Sequence, residues 1–133
     1  MELSRHARYS WTASSKRFVS SMDLCANGLL LRSLRYARPW IVTNSKAGWV
    51  EYTCQKYMPE TWRTIVGHKI RVASAREMHE KEHPNQDKEW KRLAFLDITS
   101  RIPRDCSVNL IVIGDSEAEH EAGRHLSRYA AMT

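Results

Sequence analysis

The chain has 133 residues, 42% of them hydrophobic and 27% charged, which predicts one folded domain with its own core. No apolar run approaches the ~18 residues of a membrane span, and no apolar segment typical of a secretory signal is present. No membrane partner is therefore predicted. Three scattered cysteines (Cys25, Cys54 and Cys106) match neither a disulfide framework nor a paired-cysteine metal site. They favour a reducing compartment, and the prediction is a cytoplasmic protein.

The net charge of +6 is concentrated near the N-terminus. Residues 1–40 hold seven Lys/Arg against two acids, and the rest of the chain is nearly neutral. Because the basic residues do not extend over the predicted domain, nucleic acid is not a predicted partner. Residues 1–20 show no helix or strand period, so we predict a poorly ordered basic segment there and a domain over 21–133. Their Arg/Ser-rich composition also resembles an organelle-targeting segment.

Apolar periodicity predicts two helices and one strand in the first half. The first helix covers 21–36, with Ser21 or Asp23 as its N-cap. A short apolar strand follows over 40–44, and a second helix over 48–58.

The second half alternates strands with helices. A Pro-Glu-Thr-Trp turn precedes a strand within 65–74 at the edge of the sheet, and a charged loop precedes a helix over 87–99. The aliphatic segment 108–113 is predicted to be a buried parallel strand. A final helix over 116–131 would face inward through Ala118, Ala122, Leu126 and Tyr129. This order predicts an α/β fold with a parallel sheet and crossover helices.

Polar residues follow two of these strands. Thr43 and Asn44 end the first, and Asp115 follows 108–113. The carboxyl ends of parallel strands meet at one edge of a sheet, where open α/β folds bind ligands. One shared polar site is therefore predicted there.

Three motifs occur in order, namely Val42-Thr43-Asn44, Trp90-Lys91 and Gly114-Asp115-Ser116-x-x-Glu119. They resemble motifs II, III and IV of the haloacid dehalogenase (HAD) superfamily. The flanks Gly48-Trp49-Val50-Glu51, Met58-Pro59, Ala73-Ser74-Ala75-Arg76 and Ala94-Phe95 resemble an uncharacterised branch of HAD-like hydrolases from microbial eukaryotes. The resemblance extends over about residues 38–130. It implies a Rossmann-like three-layer α/β/α fold with a small parallel sheet.

The resemblance also implies a role for each motif residue in a Mg²⁺-dependent phosphatase. Thr43 and Asn44 would bind phosphate, and Lys91 would neutralise its charge as the catalytic lysine. Asp115 and Glu119 would bind or orient the metal, for which hard oxygen ligands are suitable. The substrate would be a phosphorylated small molecule or a phosphoprotein.

One part of the HAD pattern is missing. Motif I, an apolar strand that ends in Asp-x-Asp and supplies the nucleophile, should precede Thr43, and nothing upstream matches it. In the family this strand lies between the motif II and motif IV strands, at the centre of the sheet. The prediction is an incomplete HAD-like domain that is catalytically impaired. The alternative is a non-catalytic protein-interaction module that uses an exposed strand edge or the basic N-terminal segment.

Each motif residue also has a structural interpretation. Thr43 and Asn44 could cap the following helix, Ser116-x-x-Glu119 matches a capping box, and Lys91 could be solvated surface. His79-Glu80-x-x-His83 matches the zinc-protease pattern. Because Pro84 disfavours helical geometry at His83, we interpret that segment as a solvated loop.

Overall fold

The computed structural model describes residues 12–132, with side chains to residue 128. The fold is mixed α/β and mostly helical. Its elements are α1 (Ala13–Leu34), β1 (Trp40–Thr43), α2 (Trp49–Tyr57), α3 (Pro59–Gly67), β2 (Arg71–Ser74), α4 (Ala75–His79), α5 (Asp87–Ser100) and α6 (Glu117–Met132). Strands β1 and β2 pair in parallel, with Trp40 opposite Arg71 and Thr43 opposite Ser74. The predicted α/β class and the parallel pairing of these two strands are confirmed.

The described residues form two compact units. One contains the chain up to Pro39 together with Glu51–Ile70, and the other contains Trp40–Val50 together with the chain from Arg71 onward. The first is a helical unit in which α1 packs against α3. The second holds both strands and the helices α4, α5 and α6. All the motif residues belong to the second unit.

Helix α1 begins at Ala13, so the predicted start at Ser21 is wrong and residues 13–20 are helical. The hydroxyl of Thr12 accepts the first-turn N–H of Ser15 at 3.1 Å, which makes Thr12 the N-cap. Neither Pro nor Gly occurs between Thr12 and Leu24, so the helix continues from this cap into the apolar stripe. The remainder of the predicted poorly ordered segment, residues 1–11, lies outside the described residues.

Helix α3 replaces the predicted turn after Met58 and the first part of the predicted strand 65–74. Pro59 occupies the first turn of the helix, where its fixed φ and missing N–H are tolerated. Thr61, Thr64 and Ile65 are buried, and their i, i+3, i+4 spacing gives a helical face instead of a strand. The strand is therefore limited to Arg71–Ser74.

The core of the second unit forms where α4 and α5 pack together. Ala75, Trp90 and Ala94 are buried against one another, and Val42 of β1 packs on them. The indole N–H of Trp90 donates to the carbonyl of His83 at 2.6 Å, so its polar atom has a partner inside the core.

Helices α5 and α6 lie close to their predicted ranges and make extensive contact with each other. Ala122 and Leu126 of α6 are buried, as predicted, and Ala118 is partly buried. The side chain of Tyr129 lies outside the described part of the chain.

Segment 108–113 does not form the predicted strand. Ile111 and Ile113 are 69% and 67% exposed, and within residues 12–132 the sheet consists of β1 and β2 alone. A strand needs a neighbour that binds its backbone N–H and C=O groups, and here no third strand pairs with the segment. Only Val112 is partly buried, and it lies beside Gly123 of α6. The prediction of a strand is therefore wrong: the segment has strand-like composition, but in the described residues its backbone pairs with no strand.

None of the helices in the described range is long and apolar enough to cross a bilayer.

Candidate functional site

The two strand tips place hydroxyl groups side by side. Thr43 ends β1 and lies opposite Ser74, which ends β2. The hydroxyl of Thr43 accepts the backbone N–H of Ser45 at 3.0 Å, which fixes the turn after β1. The hydroxyl of Ser74 donates to the carbonyl of Ser45 at 2.6 Å and accepts the N–H of Glu77 as the N-cap of α4. Thr43 therefore stabilises the turn, and the interpretation that it caps the following helix is wrong, because α2 begins only at Trp49.

Asn44 connects the tip of β1 to the start of α5. Its side-chain N–H₂ donates to the carbonyl of Asp87, the first residue of α5, at 3.0 Å. Its side-chain oxygen is buried, and in the described residues it has no hydrogen-bond partner. An unpaired buried acceptor costs free energy. Asn44 thus presents one unused polar atom close to the strand tip.

Lys91 and Glu119 form an ion pair between α5 and α6, with 9% and 13% of their side-chain surfaces exposed. The structure therefore contradicts the interpretation of Lys91 as solvated surface. Burial alone would raise the pKa of Glu119, but hydrogen bonds from Lys91 and Ser116 outweigh it and lower that pKa to about 2. The pair holds the N-terminal turn of α6 against α5.

The capping box predicted at Ser116-x-x-Glu119 forms its carboxylate half. The carboxylate of Glu119 accepts the backbone N–H of Ser116 at 3.1 Å and also the Ser116 hydroxyl. Its side chain lies directly on Gly114, where a Cβ atom would overlap it. Gly114 is therefore required for Glu119 to reach back over the start of α6.

Asp115 is separate from these contacts. It is exposed and, among residues 12–132, makes no hydrogen bond or ion pair. The strand that should have delivered it to a sheet edge is not formed. The structure thus brings together Lys91 with Glu119, and Asn44 with the start of α5, and it shows no contact that joins Asp115 to either pair.

The metal prediction can be compared with these donors. One oxygen of Glu119 is bound by Lys91 and the other by Ser116, which leaves Asp115 as the free carboxylate of the predicted pair. No group of three or more His, Cys, Asp or Glu side chains suited to a metal occurs in the described range. The two residues as arranged do not supply the ligands of a Mg²⁺ site without a further carboxylate.

The His-Glu-x-x-His segment does not have zinc-site geometry. Helix α4 ends at His79, and His83 follows in a turn. The ring Nε2 of His79 lies 2.9 Å from the carboxylate of Asp97, so this histidine has an acidic partner on α5. The segment is a helix end followed by a loop, as the sequence predicted from Pro84.

Two residues that cap helices in the structure, Ser74 and Asp23, were not identified in these roles from the sequence. The sequence places Ser74 at the end of a predicted strand and in a motif flank, although a serine directly before a helix is also a common N-cap. Asp23 was considered as a cap of its own helix, and it instead contacts α3, 37 residues away. A contact between distant segments leaves no local pattern, so Asp23 could not have been assigned from spacing.

Comparisons of the chain with protein-family models, curated proteins and solved structures find no match.

Proposed function

We propose that this chain is an incomplete HAD-like phosphatase domain that does not hydrolyse phosphate esters by itself and acts by binding an apolar β-strand of a partner polypeptide. The observation that carries the proposal is segment 108–113, which has strand composition and no strand beside it. We call β1 and segment 108–113 together the open strand edge. A strand bound there would extend the sheet toward the Rossmann-like three-layer fold that the resemblance implies.

The backbone of β1 supports this proposal. Strand β1 bonds to β2 on one side, and in the described chain no strand covers its other side. An uncovered strand presents a row of N–H and C=O groups that can pair with an added strand. Both components of the open strand edge belong to the same compact unit.

The side chains of 108–113 give the expected chemistry of the partner. Val108, Leu110, Ile111 and Ile113 are 47–69% exposed. Burying such side chains contributes about 25 cal/mol per Å² of apolar surface. Because they carry no charge, the complementary strand is apolar. Four to six residues would match the lengths of β1 and the segment.

The proposed absence of independent catalysis is supported by the contacts that Asp23 and Lys91 make in the structure. Asp23, the acid nearest upstream of Thr43, is buried, and its carboxylate accepts three hydrogen bonds in the helical unit. Its oxygens bind N–H and O–H groups of α3, so they cannot attack a phosphate. Lys91 is paired with Glu119. Within residues 12–132, no Asp upstream of Thr43 is therefore free to act as the nucleophile.

The resemblance indicates what a complete site would contain. A strand that ends in Asp-x-Asp would bring carboxylates to the tips of the strands, where Thr43, Asn44 and Asp115 would bind phosphate and Mg²⁺. Bound Mg²⁺ would offset phosphate charge. The substrate would then be a phosphorylated small molecule or a phosphoprotein, and the partner a protein. A cytoplasmic location is proposed because Cys25, Cys54 and Cys106 are all free thiols.

The test uses a fluorescent peptide of about six apolar residues followed by Asp-x-Asp-x-Thr, and a second peptide with Asn in place of both Asp. We expect both peptides to bind the wild-type chain, with saturable anisotropy. Ile111→Asp should weaken binding at least about tenfold, because a charge would be buried in the new sheet. Val66→Asp is the matched control, since Val66 is an exposed β-branched residue of α3.

Hydrolysis of an aryl phosphate, with and without Mg²⁺, tests the catalytic part separately. The chain alone should show no turnover. Mg²⁺-dependent turnover by the chain alone that is lost in Asp115→Asn would contradict the proposal. Peptide binding that is equal in wild type and Ile111→Asp would also contradict it, because the open strand edge would not be the binding site.

A further inference from the structure

A second feature of the strand-containing unit lies at the opposite end of the sheet from the motif residues. Trp40 and Arg71 begin β1 and β2 and are register partners. Arg101 is the C-cap of α5. The guanidinium carbons of Arg71 and Arg101 lie 5.1 and 5.9 Å from the centroid of the Trp40 ring. Two cations therefore share one indole.

Neither arginine has a carboxylate partner. Arg71 and Arg101 are both exposed and form no ion pair within residues 12–132. Two like charges that share one ring repel each other, and the indole compensates each by only about 0.5–1 kcal/mol at an exposed site. An anion bound between them would remove this repulsion and could accept paired N–H groups from both guanidiniums.

The two arginines border an open cleft. The residues of β2 line the cleft, together with Met78 of α4 and Ile98 of α5. Met78, Ile98 and Trp40 provide apolar surface in the cleft for an uncharged group. Glu77 also lines the cleft and is exposed. Its negative charge would repel a second anionic group of a ligand, so the site suits one anionic head and an apolar body.

We propose that this cleft binds a small organic phosphate monoester, with its phosphate between Arg71 and Arg101 and its organic group beside Met78 and Ile98. A phosphate monoester carries about two negative charges at neutral pH, which matches two guanidiniums. A carboxylate carries one charge and has fewer acceptor oxygens, so it would bind the two guanidiniums more weakly. The cleft shares Trp40 with β1 and Ser74 with the strand tips, but the two proposed phosphate-binding residues, Arg71 and Arg101, belong neither to the open strand edge nor to the motifs.

The test is a titration of the isotopically labelled chain with phenyl phosphate at low salt, followed by the indole N–H resonance of Trp40. Trp40→Phe assigns that resonance. We expect a saturable shift, with benzoate and phenol binding at least about tenfold more weakly. Inorganic phosphate should also bind more weakly, because it lacks the apolar group. Equal affinity for benzoate and phenyl phosphate would overturn the proposal.

Arginine variants locate the phosphate. Arg71→Gln and Arg101→Gln should each weaken phenyl phosphate binding at least about tenfold, which corresponds to the loss of charge-assisted hydrogen bonds. Arg104→Gln is the matched control, because Arg104 is exposed, close to Arg101 in sequence and not part of the cleft. Equal weakening by Arg104→Gln would mean that only net charge matters, and the proposal would fail.

A variant that keeps both positive charges separates loss of phosphate binding from loss of folding. The double variant Arg71→Lys with Arg101→Lys retains both positive charges and removes the planar fork that binds phosphate through two N–H groups. We expect it to fold and to bind phenyl phosphate about tenfold more weakly than wild type. Unchanged affinity in this variant would contradict direct recognition by the two guanidiniums.

Discussion

Asp23 of α1 caps α3 through Thr61. Its carboxylate accepts the backbone N–H of Thr61 at 2.8 Å and the Thr61 hydroxyl at 2.7 Å, and it also accepts the N–H of Glu60 at 3.0 Å. The residue at the N-cap position of α3, Met58, has no side-chain acceptor. One helix therefore satisfies the N-terminal N–H groups of another, and a buried charge links the two helices.

Removal of this cap should destabilise the protein. Asp23→Ala leaves buried N–H and O–H groups of α3 without acceptors, so we expect a loss of about 2 kcal/mol in the free energy of unfolding. Asp23→Asn keeps one acceptor oxygen and should lose less. Urea unfolding measures the stability of both variants, and Asp105→Ala, the substitution of an exposed aspartate, is the control. Equal stability of Asp23→Ala and Asp105→Ala would contradict the capping role.

Stability should fall in acid. Burial disfavours the charged form of Asp23, but hydrogen bonds from Thr61 and Glu60 and the charge of Arg63 outweigh it and lower its pKa. The pKa of Glu119 is lowered to about 2. Since both pKa values are lower in the folded state than in the unfolded state, their stabilisation is complete above about pH 5 and is lost as pH falls toward 2.

The size of the acid effect can be estimated for Glu119. Its shift corresponds to on the order of 3 kcal/mol. Urea midpoints measured at pH 7, 5, 4 and 3 should decrease steadily below pH 5, and Glu119→Gln should show a shallower decrease. A wild-type midpoint that does not change between pH 5 and pH 3 would show that neither carboxylate is held by its partners.

A double-mutant cycle should reveal coupling between Lys91 and Glu119. Lys91→Met leaves the mostly buried carboxylate of Glu119 without its cation, and Glu119→Gln leaves the mostly buried ammonium of Lys91 without its anion. Each substitution should therefore lower the free energy of unfolding by about 3 kcal/mol. The double variant should cost at least about 1 kcal/mol less than the sum. The neighbouring pair Lys88 and Glu121, which is 3.9 Å apart and well exposed, is the control and should couple by less than about 0.5 kcal/mol. Similar coupling in both pairs would contradict a structural role for the buried pair.

The isolated chain should be only marginally stable. A two-strand sheet and exposed isoleucines in 108–113 leave part of the potential core without cover. We expect a thermal melt below about 65 °C, and a higher melting temperature when the apolar strand peptide is present. Calorimetry measures both. A cooperative melt well above 65 °C without the peptide would mean that no strand is missing.

The sequence predicted the features that depend on local chemistry. Pro39 and the apolar run after it define β1, and the periodicity of Trp90, Leu93, Ala94 and Ile98 defines α5 within about one residue. The capping box at Ser116 and Glu119 was also visible as a short pattern. These predictions are correct because the residues that determine each feature lie within a few positions of one another in the sequence.

Features that depend on distant partners were not predictable in the same way. Segment 108–113 has the composition of a buried strand, but a strand exists only where another strand pairs with it. The site residues show the same limit, since spacing could not reveal that Lys91 pairs with Glu119 or that Asp23 caps α3. Composition indicates which secondary structure a segment favours, and contacts with distant residues determine which one forms.

The most direct test of the proposed strand acceptor is hydrogen exchange at the backbone amides of residues 108–113, with and without saturating apolar strand peptide. We expect rapid exchange in the free chain and strong protection in the complex, with no protection in Ile111→Asp. Amides that are already protected in the free chain, or that exchange rapidly when the peptide is bound, would contradict it.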